Sequence, residues 1–156
     1  MASSKTKRGS RQILVATFVS LSTDAGGPAK LALGIARALH REGRLLGIAS
    51  PQANPEATGL PATSFYSPPH PLFQRLLGRL LTMRLGFNEP DKRRIRESLF
   101  DFFLSRSSVL RDADAVLFLK PTFPRSASRA AKLGTPSLAW ASILCPEFNR
   151  DQVLAE

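Results

Sequence analysis

The sequence predicts an α/β protein: a single Rossmann-like domain whose mostly parallel sheet carries helices on both faces. Three observations lead there. Short, continuous apolar runs recur at Ile13–Ala16, Leu45–Ala49 and residues 115–119. Continuous rather than alternating apolarity is what a strand buried on both faces requires. Amphipathic stretches separate these runs in the order β-α-β-(β)-α-α-β-α-β, an alternation that yields a parallel sheet with right-handed crossovers. Finally, 156 residues with 43% hydrophobic content make one domain of ordinary size, able to bury a core without disulfides or metal.

The first strand runs into the loop Ser20-Leu21-Ser22-Thr23-Asp24-Ala25-Gly26-Gly27 and then Pro28. Proline suits a first helical position, because its missing N–H would have no partner there. Ala32, Ile35, Ala36 and Leu39 then recur at i, i+3, i+4 and i+7, the stripe of a helix with one buried face. Gly34 costs that helix about 1 kcal/mol relative to alanine, and its expected role is close packing on the sheet. Gly43 should end the helix, with His40 and Arg41 in the last turn. The second strand follows, then a loop over residues 50–61 with three prolines and Gly59, and a short third strand over 62–66.

Ser67-Pro68-Pro69-His70-Pro71 breaks the chain. Residues 72–85 read as a helix with a broad apolar surface, whose only charges are Arg75, Arg79 and Arg84; Gly86 ends it and Asn88 caps the next. That next helix, over 90–110, places Ile95, Leu99, Phe102, Phe103 and Val109 on one side. Lys92, Arg93, Arg94 and Arg96 crowd its start, where cations oppose the helix dipole and so do not serve helix stability. After the strand at 115–119 come a turn over 120–124, a short helix over 126–133 stopped by Gly134, and a last strand over 137–140. Residues 141–148 are loop-like, and a further helix begins at 149.

The net charge is +10, from 22 Lys and Arg against 12 Asp and Glu, which favours anionic partners. Cys145 is the only cysteine, excluding an intrachain disulfide and a cysteine metal cluster, and fitting a reducing cytoplasm. No apolar run approaches the roughly 20 residues of a membrane span. Residues 1–12, with Lys5, Lys7, Arg8 and Arg11, read as a basic disordered tail rather than a signal peptide, leaving 13–156 as the domain.

Ligands of open parallel sheets bind outside the carboxyl ends of the strands. Here that edge comprises residues 17–27, 120–124 and 141–146. Gly26 and Gly27 stand out on it. The first N–H groups of a helix lack intrahelical partners, and the dipole places about half a positive charge there, so a glycine pair at a helix start can cradle a phosphate. The pattern alone leaves that reading and a plain tight turn both open. The dinucleotide spacing G-x-G-x-x-G is absent, and the P-loop spacing fails because Leu31, not Ser or Thr, follows Lys30. No zinc-finger or RNA-recognition motif accompanies the charge, so nucleic acid is an unlikely partner. His40 reads as a helix-end residue, His70 as a loop residue and Cys145 as a small buried side chain. Asp112 and Asp114 lie at the amino end of a strand, the wrong edge for chemistry. No catalytic set emerges from the residues, and no metal site.

Several phrases resemble the opening of GT-B glycosyltransferases, the family-4 group in particular. They are the strand at 13–17, Gly26-Gly27-Pro28, and Leu33-Gly34-Ile35-Ala36-Arg37-Ala38-Leu39-His40-Arg41-Glu42-Gly43. Arg111-Asp112-Ala113-Asp114-Ala115-Val116-Leu117-Phe118 is similar to that group's lead into a later strand, and Ala130-Ala131-Lys132-Leu133-Gly134-Thr135-Pro136 to its helix–Gly–x–Pro–strand step. The resemblance covers roughly residues 13 to 140. It implies the acceptor-side domain of a retaining enzyme that uses a nucleotide-sugar as substrate, needs no cofactor or obligatory metal, and acts on a glycan or lipid-linked acceptor. By the same resemblance Gly26 and Gly27 face the donor's diphosphate across the interdomain cleft. Lys120, Thr122 and Ser142, at the ligand edge, become acceptor-side candidates. The second Rossmann domain and its paired glutamates do not follow, nor does an acceptor-domain histidine stand in Ala141-Ser142-Ile143-Leu144. The expectation is a fragment, a truncated homologue or one subunit of a split enzyme, inactive alone. The alternative is a non-enzymatic Rossmann-like module for a phosphorylated ligand or a protein partner.

The helix at 72–85 allows one more partner. Apolar residues beside Arg75, Arg79 and Arg84 are what an anionic membrane surface binds, though a core helix with an arginine stripe explains them too. The expected location is the cytoplasm, peripheral to the membrane if that surface is used.

Overall fold

The computed structural model describes residues 11–21, 26–67, 76, 89–120 and 123–140. It has a five-stranded sheet: β1 (Ile13–Ala16), β2 (Leu45–Ala49), β3 (Phe65–Tyr66), β4 (Ala115–Phe118) and β5 (Ser137–Ala139). The strand order is β3-β2-β1-β4-β5, and every pairing is parallel. Ile13 faces Leu45 on one side and Ala115 on the other, so the sequence's three strongest apolar runs form the centre of the sheet.

Alternation along β1 sorts the core into two layers. Leu14 and Ala16 point into one, with Ala49, Val116 and Phe118. Val15 points into the other, with Ile48. The second layer is closed by α1 (Gly27–Arg41) through Ala29, Ala32, Leu33 and Ala36, helped by Leu21 and Leu60. The first layer is closed by α3 (Glu89–Arg106), α4 (Ser108–Asp112) and α5 (Pro124–Lys132), which contribute Phe100, Leu104 and Leu110 alongside Phe123. Helices on both faces, the doubly wound arrangement read from the sequence, are therefore present.

The expected stripe on α1 holds, with Ala32 and Ala36 fully buried and Ile35 and Leu39 half-buried. Its glycine does not do what was expected. Gly34 is exposed, and a Cβ there would meet nothing within 4 Å, so no close packing on the sheet requires it. Gly43 and Gly134 do end helices, at φ of +65° and +70°.

Two further expectations change. The loop at 50–61 contains a short helix, α2 (Pro55–Thr58). Pro55 opens it, the Thr58 hydroxyl donates to the Pro55 carbonyl at 2.8 Å, and Gly59 closes it in the left-handed region. The third strand shrinks to β3, with residues Ala62–Ser64 in a 3₁₀ turn before it.

The helix over 90–110 is two helices, parted at Ser107, whose hydroxyl donates to the Leu104 carbonyl at 2.7 Å. Its most buried apolar side chains are Phe100, Leu104 and Leu110, with Ile95, Leu99, Phe102, Phe103 and Val109 only half-buried. In a run as apolar as Leu99 to Leu104 hydrophobicity alone does not choose the face. Asp101 chooses it. This carboxylate is buried, accepts the Arg125 and Ser126 N–H groups at 2.9 Å each, and accepts the Ser126 hydroxyl at 2.6 Å. It thereby caps α5 from a neighbouring helix.

At the opposite edge of the sheet Asp114 accepts the Gln12 N–H at 2.7 Å, which ties the amino ends of β1 and β4 together. Asp112, the last residue of α4, and Asp114 are exposed there, at the amino end of the sheet as expected. The expected helix at 72–85, with Arg75, Arg79 and Arg84, lies outside the described residues apart from Leu76, which is helical and exposed. The tail at 1–10, His70, Cys145 and the segment from 141 onward lie outside them too. Among the described residues no helix is long and apolar enough to cross a membrane.

Candidate functional site

The strand order places the chain reversal between β1 and β4. The connection leaving β1 runs to one side of the sheet and that leaving β4 to the other, which opens a crevice at their carboxyl ends. A cavity of about 320 Å³ lies at this edge, within the range of small-molecule sites, about 300–1,000 Å³. Phe18, Val19 and Ser20 line it from the end of β1, Pro51 from beyond β2 and Lys120 from the end of β4. Arg93, Arg96 and Glu97 reach it from the first turns of α3.

The β1 side is fixed by local hydrogen bonds. The Thr17 N–H donates to the Ala49 carbonyl at 2.9 Å, and the Thr17 hydroxyl accepts the Val19 N–H at 3.2 Å. The buried Ser50 hydroxyl reaches the carbonyls of Val19 at 3.1 Å and Gln52 at 2.8 Å. Leu21 bridges to Ala53 beyond, and its N–H donates to the Gln52 carbonyl at 2.8 Å. Buried polar groups are thus satisfied by this turn's own backbone, and the turn is held to β2 at several points.

Beneath it is an aromatic cluster. Phe18 stacks on Phe123 with ring centroids 4.0 Å apart and planes 7° apart, and meets Phe100 edge-on at 5.4 Å. Phe118 stacks on Phe123 at 5.1 Å. One ring of this cluster, Phe18, is half-buried and forms the apolar wall of the cavity.

The charges above this wall are unevenly matched. Lys92 pairs with Glu89 at 3.0 Å and Arg93 with Glu97 at 3.0 Å. The hydrogen bond and the charge of Lys92 hold the Glu89 carboxyl below its usual range, with Arg96 a weaker contributor from farther away. Neither Arg96 nor Lys120 has a carboxylate within ion-pair distance among the described residues. The cavity therefore holds three cations and one carboxylate, and that carboxylate is already engaged.

Of the residues singled out from the sequence, the structure brings Lys120 into this crevice. Thr122 and Ser142 lie outside the described residues. Gly26 and Gly27 stand exposed at the start of α1 and do not line the cavity. Their geometry is nevertheless informative. Neither glycine has a positive φ, and a Cβ at either would meet nothing within 4 Å, so packing does not demand glycine at these positions. Pro28 has no N–H, while Ala29 and Lys30 already donate to the Gly26 carbonyl at 3.0 and 3.2 Å. The helix start is thus open but narrow, offering the Gly26 and Gly27 amides.

Sequence reasoning put residues 17–27 on the ligand edge, which covers Phe18, Val19 and Ser20, but passed over Pro51, Arg93, Arg96 and Glu97. A signal existed for two of them. Arg93 and Arg96 are three apart on one helical face, in a cation run near the helix start that works against the dipole. What the sequence lacked was the edge of the sheet toward which that helix starts. No group of His, Cys, Asp and Glu among the described residues could hold a metal ion. No protein-family model, curated protein or solved structure matches this chain.

Proposed function

We propose that this chain forms the acceptor-side Rossmann-like half of a GT-B glycosyltransferase, with the crevice between β1 and β4 as the acceptor's site. In this reading the start of α1 faces the diphosphate of a nucleotide-sugar held by a second domain beyond these residues, and the setting is the cytoplasm. The observation that carries it is the glycine start of α1. Two glycines that packing does not need stand at the carboxyl edge of an all-parallel sheet, the same edge that carries the cavity. A ligand's close approach is the remaining reason to keep side chains away. The family resemblance in the sequence supplies the donor class, the retaining outcome and the independence from metal.

The test starts with the neighbouring coding sequence, which should specify a second Rossmann-like domain with paired glutamates. The two parts together should release nucleoside diphosphate from one member of a nucleotide-sugar panel, and this chain alone should release none. Absence of such a domain, and no turnover with any donor, would sink the reading.

A second reading is favoured by the cations of the crevice, which lie wholly on this chain. In it the protein is a non-enzymatic module for a phosphorylated ligand. Calorimetric titration separates the two, because only the first gives affinity that depends on the sugar of the donor in the complete enzyme.

A further inference from the structure

We infer that the crevice recognises a phosphate ester, with Arg96 and Lys120 as its anion-binding pair, so that the acceptor is a small phosphorylated molecule; this rests on the crevice being the acceptor side. Lys92 and Arg93 are each neutralised by a carboxylate on their own helix, Glu89 and Glu97, at 3.0 Å. Arg96 and Lys120 are not neutralised within ion-pair reach among the described residues, and they arrive from separate parts of the chain. Arg96 comes from the second turn of α3 and Lys120 from the end of β4.

Two cations converging on one cavity repel each other, and a single anion between them removes that cost. The dipole of α3 acts in the same sense, because the start of a helix also favours negative charge. Helix stability does not account for Arg96, whose neighbours three and four residues back on the helix are Arg93 and Lys92, like charges that disfavour it there.

The choice of phosphate ester follows from the rest of the lining. Arginine offers a planar fork of donors that matches phosphate oxygens, and lysine a point charge. Ser20 adds a hydroxyl. Phe18, Val19 and Pro51 add apolar lining, suited to the carbon skeleton of the same molecule and not to free inorganic phosphate. A cavity of about 320 Å³ admits a compact metabolite, not a polymer threaded through it.

The experiment is calorimetric titration of the full chain with glycerol 3-phosphate, inorganic phosphate and glycerol. The ester should bind, phosphate should bind more weakly, and glycerol should not bind. Arg96→Ala and Lys120→Ala should each weaken ester binding roughly tenfold or more, the scale of one charge-assisted hydrogen bond. Glu97→Gln should tighten it, because it removes the only negative charge lining the cavity; a merely structural role for the cluster does not predict a gain. Arg94→Ala, an exposed cation that does not line the cavity, is the comparison. Equal losses in Arg94→Ala and Arg96→Ala would mean attraction to net charge alone and would overturn the site, as would ester binding no tighter than glycerol. Anionic vesicles added as a competitor should leave ester binding unchanged; displacement by vesicles would assign the pair to a lipid headgroup and overturn the small-molecule assignment. The two proposals fail separately. Ester binding without glycosyl transfer defeats the enzyme reading and keeps the anion pair, whereas transfer to neutral acceptors with no ester binding defeats the pair.

Discussion

Helices α1 and α5 begin alike and are finished differently. Each follows a strand at the carboxyl edge of the sheet, each has proline in its first turn, and neither has an acidic residue there or a cap from its own N-cap side chain. Both therefore present the same electrostatic problem, unpaired amides and a positive end. At α5 the problem is solved inside the protein, since Asp101 accepts the Arg125 and Ser126 amides and the Ser126 hydroxyl. At α1 it is left open, with Gly26 and Gly27 exposed and no carboxylate supplied among the described residues. Among the described residues, one helix start is closed by another element and the other is not. The presence of a helix N-terminus does not separate the two cases; whether another element closes it does.

The largest expected effect comes from reopening the closed start. Asp101→Ala removes three acceptor contacts and leaves the buried Ser126 hydroxyl only the main-chain carbonyl of residue 101, at 3.2 Å, a loss of about 3 kcal/mol from capping and weakened hydrogen bonding together. For a chain of this size that lowers Tm by roughly 6–12 °C. Thermal unfolding by circular dichroism measures it, and Asp101→Asn should recover part of the loss by keeping one acceptor. A change below about 1 °C in Asp101→Ala would mean that α5 does not depend on its borrowed cap, and the contrast with α1 would lose its meaning.

This contrast also marks what could be read from the chain and what could not. The strands at Ile13–Ala16, Leu45–Ala49 and Ala115–Phe118 were legible, because a central parallel strand must be apolar on both faces and little else reads that way. The open start of α1 was legible because its glycines and proline are adjacent in sequence. The closure of α5 was not. Asp101 lies 24 residues before the first amide it caps, within a stretch that reads as core helix. The strand-end side of the crevice was legible, but the part that α3 brings to it was not, for the same reason. Arg96 and Lys120 meet only because the β3-β2-β1-β4-β5 order turns the sheet around at that point. Local rules find local sites, and a site assembled by topology needs the topology first.

A smaller effect tests the open start. Gly27→Ala places a methyl group where nothing lies within 4 Å and the backbone is already compatible. The unfolded chain loses freedom, so folding should gain about 0.4–1 kcal/mol. Urea unfolding at constant m-value measures this gain. If the glycine exists for a ligand, the same variant should lower nucleoside diphosphate release in the complete enzyme while the domain itself becomes more stable. Destabilisation instead would show that the turn needs glycine for its own sake, and α1 would join α5 as a start explained by the fold.

The smallest effect concerns a third helix start. The helix α3 carries Glu89 and Asp91 in its first turn, the arrangement that the dipole favours, ahead of the cations that it does not. Lys92 holds the Glu89 carboxyl below its usual value of 4.5. A depressed carboxyl contributes stability that is present above its unfolded pKa and is lost as pH falls through its folded pKa. Glu89→Gln should therefore cost a little stability at pH 7, and the gap from the parent should close on acidification below pH 4.5. Added salt should shrink it too, because this carboxylate is exposed and screened. Urea midpoints of the two proteins at pH 7 and at pH 3, each at low and high salt, give the answer. A gap that does not narrow between pH 7 and pH 3 would assign the effect to packing of the buried Lys92 stem instead of to charge, and α3 would then be closed at its start by carbon rather than by its acids.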